Sequence, residues 1–278
     1  MDLSIIIVSW NVKDRLRENL TALLQSQGDF KFEIFVADNN SGDGSAVMVR
    51  EEFPSVRLLA NSDNLGFARA NNQAIKEATG KFVLLLNPDM RVWPDTLKNI
   101  LDWAKNNPTA TVIGCRLIDG HGRIVRQARR FPKFFDQLMI AVKIPHLFPG
   151  IVDKYLGADF DYNHDAKVDS VRGAFFLING ENYKKISGRE RPFLDERYFV
   201  WFEEVDFCRQ VYQSGGEVWY TPAAECLDYV GQSFSQIKRG QAQKYFSDSM
   251  LKYFKKWEKK WQYLILKIVW KIIGVFIK

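Results

Sequence analysis

The chain has 278 residues, 46% hydrophobic and 26% charged, which suits one large domain, or a domain with an appendage, and excludes a disordered or collagen-like chain. The net charge of +6 is uneven: residues 231–278 hold eleven Lys and Arg against two acids, Asp248 and Glu258, while the rest of the chain is slightly acidic. A uniformly basic nucleic-acid binder is therefore excluded.

In chain order, Leu3–Val8, Phe32–Ala37, Val56–Ala60, Phe82–Leu86 and Thr111–Cys115 are short apolar runs, rich in β-branched and aromatic residues, as in strands buried on both faces. Between them, Val12–Ser26, Ser45–Phe53, Phe67–Thr79 and Pro94–Asn107 are helix-like, with Gly80 ending one and Pro94 opening another. This alternation predicts an α/β fold with a parallel sheet and helices on both faces. Arg116–Lys133, with six basic residues and one acid, reads as a hairpin or extended excursion, and residues 134–168 as a flap or loop region. Val171–Asn179 is a strand candidate, Phe202–Ser214 a helix, Glu217–Tyr220 a short strand, and from Ser235 the chain looks helical to its end.

No GxGxxG follows the first strand and there is no P-loop sequence. The strand ends carry carboxylates and carboxamides instead: Asp38-Asn39-Asn40-Ser41, Asn61–Gly66 and Asn87-Pro88-Asp89. Ligands of such sheets bind beyond the strands' carboxyl ends. Carboxylates accept phosphates there through a bridging cation, so the pattern points to a diphosphate substrate with Mg2+ or Mn2+. Taken singly, Asp38 and Asp89 could be turn residues, and Glu203-Glu204-Val205-Asp206 the acidic first turn of a helix. Asp206 then reads as a partner of Arg209 or Arg172, and Trp10, Phe67, Trp219 and Tyr220 as core. The three Cys form no CxxC pair and read as reduced thiols of a cytosolic protein, the three His are scattered, and Ile5–Val8 behind Asp2 is too short for a signal peptide.

Four motifs, Ser4–Asn11 (SIIIVSWN), Val36–Asp43 (VADNNSGD), Asn61–Ala68 (NSDNLGFA) and Leu85–Asp89 (LLNPD), resemble family 2 glycosyltransferases of the GT-A fold, closest to the rhamnosyltransferase-like branch. The resemblance continues through Arg129–Pro132, Gly173-Ala174 and Phe202–Arg209 to Gly231-Gln232-Ser233. It implies a transferase domain over 1–233, with a donor half (1–115) and an acceptor and catalytic half (116–233), followed by basic amphipathic helices over 234–278. It implies that Asp38 holds the donor's pyrimidine ring, that Asn40, Asp43, Asn64, Asn71 and Asn87 lie about the donor, and that Asp89 binds the metal. Glu204 is implied as the catalytic base with Glu203 as its neighbour, and Arg129, Arg130, Gly173 and Ala174 lie on the acceptor side. Where many members carry His before Gly-Gln-Ser, this chain has Asp228, which can ligate a metal but cannot donate to a phosphate.

The implied reaction is inverting, metal-assisted transfer of a sugar, rhamnose among the candidates, from a dTDP- or UDP-linked donor to a glycan or lipid-linked saccharide. Related alternatives are a UDP-hexose or UDP-N-acetylhexosamine donor, and a catalytically silent nucleotide-sugar binder docked on a membrane assembly. In the tail, Lys256, Lys260, Lys267, Lys271 and Lys278 fall on one helical stripe among Trp and Ile. The stripe predicts a helix lying in the membrane interface rather than spanning it, with a helix packed on the catalytic body or on a second subunit as the alternative. With a lipid-linked acceptor, the expected position is cytoplasmic, at the inner face of the cell membrane.

Overall fold

A computed structural model describes residues 1–229 and 237–275. The first half runs β1 (Leu3–Ser9), α1 (Lys13–Leu24), β2 (Phe32–Asp38), α2 (Ser45–Glu52), β3 (Arg57–Ala60), α3 (Phe67–Glu77), β4 (Phe82–Leu86), β5 (Met90–Val92), α4 (Thr96–Asn106) and β6 (Ala110–Ile118). The second half runs β7 (Ile124–Val125), β8 (Ala128–Arg129), α5 (Phe134–Ala141), two 3-10 turns (Ile144–His146, Pro149–Val152), β9 (Ala166–Lys167), β10 (Ser170–Val171), β11 (Phe175–Asn179), α6 (Gly180–Ser187), α7 (Glu203–Gln213) and β12 (Glu217–Asp228). Two helices, α8 (Arg239–Trp257) and α9 (Lys260–Val275), complete it.

The apolar runs become strands because each can be buried on both sides. Ile5 and Ile7 enter one core cluster and Ile6 the other; in β4, Leu84 and Leu86 face the first cluster, and Val83 and Leu85 the second. That alternation is what a sheet covered on both faces requires. The sheet order is β3-β2-β1-β4-β11-β6-β12-β5. Pairs β3/β2, β2/β1, β1/β4 and β6/β12 are parallel. Strand β11 is inserted antiparallel between β4 and β6, which brings the residues before Phe175 to the carboxyl end of β4.

Three expectations change. The 134–168 stretch holds a helix, α5, packed on α9 and capped by Asp136, whose carboxylate accepts from Lys133 N. The Val171–Asn179 strand is broken at Arg172-Gly173-Ala174, leaving β10 and β11 in different sheets. The short strand at Glu217–Tyr220 runs on to Asp228, with a register shift between Thr221 and Glu225. Pro222 lies in that shift, since it has no N–H for the ladder.

The tail is two helices. Glu258, with φ −115° and ψ 172°, separates them, so the stripe expected from Lys256 onward is not continuous. Lys256 belongs to α8, and its ammonium lies 2.7 Å from Asp206 and 3.1 Å from Asp195. Asp206 is therefore bound to the tail rather than to Arg209 or Arg172. Lys278 lies outside the described residues.

Candidate active site

The ends of β1, β2 and β4 and the start of β11 converge on one cleft. Its first part is lined by Trp10, Asn39, Asn64, Phe67, Asn87 and Phe199, among others. The second part, sharing Phe67 and Asn87, is lined by Arg129, Arg172, Gly173, Ala174, Glu203 and Glu204, with Trp201. Trp10 and Phe67 are thus cleft walls rather than core, whereas Trp219 packs edge-on against Trp103 and Tyr220 is fully buried.

On the donor side, loops are laced together by side chains. Asp38 is 2% exposed; its Oδ2 accepts from Ser41 N at 2.9 Å, and its buried Oδ1 has no partner among the described residues. Asn11 Oδ1 accepts from Gly42 N, and Asp43 accepts from Lys13 N and Ser45 N, tying the loops after β1 and β2. Asp43 is thus a loop tie, and Asn40, exposed with φ +61°, shapes the turn beside it. Asn64 Oδ1 accepts from Gly66 N. Gly66 has φ +79°, and a Cβ there would sit 2.3 Å from Phe199 O, so only glycine fits this approach of the 199–201 segment. Asn71 is fully buried, donates from Nδ2 to Phe67 O, and does not line the cleft. Asn87 is pinned through its backbone: its N–H donates to Ala174 O and its carbonyl accepts from Asn19 Nδ2.

Where the metal is expected, Asp228 pairs in register with Met90, which places it beside Asp89. Tyr229 N donates to Asp89 O, fastening the two strand ends. Asp89 and Asp228 are 4% and 3% exposed. Arg172 Nη1 lies 3.2 Å from Asp228 Oδ2. Its guanidinium is pulled below its ordinary value by burial, opposed by the charges of Asp228, Glu204 and Asp89. Two carboxylates fit a Mg2+ or Mn2+ whose shell is completed by substrate phosphates; no group of three or more His, Cys, Asp or Glu among the described residues forms an all-protein site.

The two glutamates expected to serve in catalysis, Glu203 and Glu204, open α7. Trp201 and Phe202, just before it, both have left-handed backbone (φ +64° and +68°), an arrangement bulky residues adopt only where the surroundings hold it. Burial raises the Glu203 carboxyl well above the usual range, and the charge of Glu204 adds to this. Burial also raises Glu204, with Arg129 pulling it back. Glu203 is 4% exposed and Glu204 somewhat more open; each has a buried Oε2 with no partner among the described residues. A Cβ on Gly173 would meet Glu204 Cβ at an ordinary 3.7 Å. Gly173 is thus not forced by space.

The glycosyl transferase family 2 profile matches residues 4–157, more than half the chain. The chain belongs to this family. It is 26% identical over 242 residues to the N-acetylglucosaminyl-diphospho-decaprenol L-rhamnosyltransferase of Mycobacterium tuberculosis, covering 83% of this chain and 77% of that protein. It is 24% identical to rhamnosyltransferase WbbL of Escherichia coli, covering 81% and 82%. The mannosyltransferase PcManGT from Pyrobaculum calidifontis, solved with GDP-Man and Mn2+, superposes with a TM-score of 0.60 at 17% identity, covering 96% of this chain and 68% of that one. Staphylococcus aureus TarS 1-349 with UDP-GlcNAc gives 0.55 at 18%, covering 90% and 65%. The family 2 member is a glycosyltransferase with the GT-A fold.

Of the expected residues, the cleft gathers Asn64, Asn87, Arg129, Gly173, Ala174, Glu203 and Glu204. Arg130 turns into a neighbouring cavity, paired with Asp159 at 2.9 Å. Sequence reasoning missed Arg172 as a cleft residue. Its position one residue before Gly173-Ala174 was the available signal, obscured because Val171–Asn179 looked like one strand. The Gly231-Gln232-Ser233 motif lies outside the described residues.

Proposed function

We propose that this family 2 member is an inverting transferase that moves rhamnose from a dTDP- or UDP-linked donor to a lipid-linked saccharide. The relatives named as rhamnosyltransferases support the donor sugar, and the diphospho-decaprenol in one of their names supports the acceptor class. The observation that carries the reading is the buried Glu203–Glu204 pair facing the same cleft as Asn87, with Arg129 and Arg172 alongside. The reading includes the division into a transferase domain over 1–233 and C-terminal helices over 234–278. It also includes a cytoplasmic position at the inner membrane face, approached through α9.

In this mechanism Asp38 offers its partnerless Oδ1 to a pyrimidine N–H. Glu204 accepts the proton of the acceptor hydroxyl, and Glu203, protonated, keeps a second negative charge out of the site. Arg129 and Arg172 balance charge around the departing diphosphate, and the aromatic walls exclude water. Asp89 and Asp228 would hold a divalent cation, which supplies Lewis-acid stabilisation of the leaving diphosphate.

The reading is tested by thermal shift against UDP-, dTDP- and GDP-sugars, followed by transfer to a lipid-linked acceptor. The matching donor stabilises the native state by mass action. No shift with any dTDP- or UDP-sugar overturns it. Asp38→Ala is expected to weaken binding of free UDP or dTDP by about 1.5–3 kcal/mol, the worth of a hydrogen bond to a charged group. Titration calorimetry with both nucleotides measures this, and unchanged affinity for both removes Asp38 from base recognition. Asp89→Asn is expected to weaken Mn2+ binding, followed by the paramagnetic resonance of the free ion, more than Asp228→Ala does. The Arg172 contact already offsets part of the Asp228 charge. Chelator is expected to stop turnover and added Mg2+ or Mn2+ to restore it; full turnover in chelator removes the metal from the scheme.

A further inference from the structure

Helix α9 carries two apolar faces. At 100° per residue, Trp261, Leu264, Ile265, Ile268 and Ile272 fall within an arc of about 100°. They are 39–59% exposed. On the other side, Tyr263, Leu266 and Trp270 pack with α8 and α5. The outward apolar face is therefore left over after the helix has docked on the body. Lys260, Lys267 and Lys271, all exposed, run along one edge of it.

A second exposed apolar surface adjoins the first. Phe135, Leu147 and Phe148 are 71%, 74% and 64% exposed. Phe135 lies on α5, and Leu147 and Phe148 link the two 3-10 turns that pack on it. Phe134 stacks edge-on with both Phe135 and Trp261, at 5.5 and 5.0 Å, and Phe135 and Trp261 border the same groove. The two surfaces thus meet at Phe135 and Trp261, which are more than a hundred residues apart in sequence.

The charges choose the occupant. Residues 133–154 and 259–275 together carry seven Lys and two acids, Asp136 and Asp153. Asp136 caps α5, and Asp153 lies 3.7 Å from Arg126. An antiparallel second copy would set Lys edge against Lys edge, and a parallel one would leave both Lys edges without an acidic partner on α9. A bilayer with anionic head groups accepts both the apolar side chains and the flanking ammonium groups.

We propose that the outer face of α9 and the 135–148 ridge form one composite docking surface for an anionic lipid bilayer. This rests on the membrane reading of α9 and adds the ridge to it. No described helix is long and apolar enough to cross the membrane, in keeping with an interfacial contact.

The test is sedimentation of the full chain with vesicles of three parts phosphatidylcholine to one part phosphatidylglycerol, at low salt. The variants are Leu147→Glu/Phe148→Glu and Ile268→Glu/Ile272→Glu, each checked by its unfolding midpoint and its elution volume. The unaltered chain is expected to sediment with these vesicles but not with phosphatidylcholine alone, and each double variant to lose about tenfold or more in partitioning. If the ridge variant binds like the unaltered chain while the α9 variant does not, the composite surface is overturned and the α9 reading stands. If the unaltered chain stays in solution, both fail. Equal binding to neutral vesicles overturns the anionic partner. A dimer that either variant dissociates makes a second copy the occupant and overturns the proposal.

Discussion

Glu204→Gln is expected to lower the transfer rate by about 10²–10⁴-fold, the usual range for removing a general base. Donor affinity should stay close to that of the unaltered enzyme. Gln keeps the shape and cannot take the proton, so the loss belongs in kcat. The structure favours Glu204 over Glu203 because Glu204 is the more open of the two and has Arg129 and Arg172 favouring its charge. Glu203 is deeper, and burial together with the charge of Glu204 keeps its proton on. The acidic limb of the kcat profile is therefore expected above the ordinary glutamate range, and Arg129→Gln is expected to move it higher still. Stability carries a matching sign. Because the folded-state value of Glu203 is raised, its contribution is intact below the ordinary glutamate value and is lost as pH rises toward the raised one. Glu203→Gln is accordingly expected to raise stability at neutral pH and to leave it unchanged in acid, measured by urea unfolding at both. If Glu203→Gln abolishes transfer while Glu204→Gln turns over normally, the roles are reversed.

The parallel half of the fold was legible because its signal is local. Ile5-Ile6-Ile7 and Leu84-Leu85-Leu86 sit in short apolar runs bounded by turn residues, which read as strands with both faces covered, and observed strand ends fall within a few residues of the expected ones. The strand ends were legible too: Asp38, Asn87 and Asp89 stand where the chain leaves the sheet, and Asn87 lines the cleft. What escaped depends on partners far away in sequence. Arg172 enters the cleft only because β11 inserts antiparallel beside β4. The length of β12 was hidden by Pro222, whose interruption is accommodated by a register shift against β6. The left-handed backbone at Trp201 and Phe202 has no composition signal, and is held by Phe202 packing on Phe246 and Tyr253 of α8. The Lys stripe misled because a helical wheel assumes one helix, while Lys256 and Lys260 lie on opposite sides of the break at Glu258.

Lys256→Met is expected to destabilise the fold by about 3–5 kcal/mol, the cost of stranding a buried charge by removing its partner. Asp206 is completely buried on α7, two residues beyond Glu204. Its carboxylate accepts from Lys256 Nζ at 2.7 Å, Trp257 Nε1 at 2.6 Å, Gln210 Nε2 at 2.7 Å and Tyr198 OH at 3.2 Å. Burial and the Asp206 charge together keep the Tyr198 hydroxyl protonated, as a donor must be. Removing Lys256 leaves three neutral donors around a full negative charge. Removing the charge instead, with Asp206→Asn, is expected to cost less, because Lys256 is partly exposed and keeps Asp195 at 3.1 Å. The double variant should then be more stable than the two losses summed, and the difference is the coupling of the pair. Denaturant unfolding of the four proteins measures it, and losses below about 1 kcal/mol would place the pair with ordinary solvated ion pairs. The same contacts bind the tail to the helix that carries Glu204. A chain ending at Lys256 loses the Trp257 contact as well as α9, so any deletion meant to report on membrane binding alone has to retain Trp257. In Lys256→Met, transfer is expected to fall more than donor binding does, because α7 loses its anchor while the loops around Asp38 keep theirs.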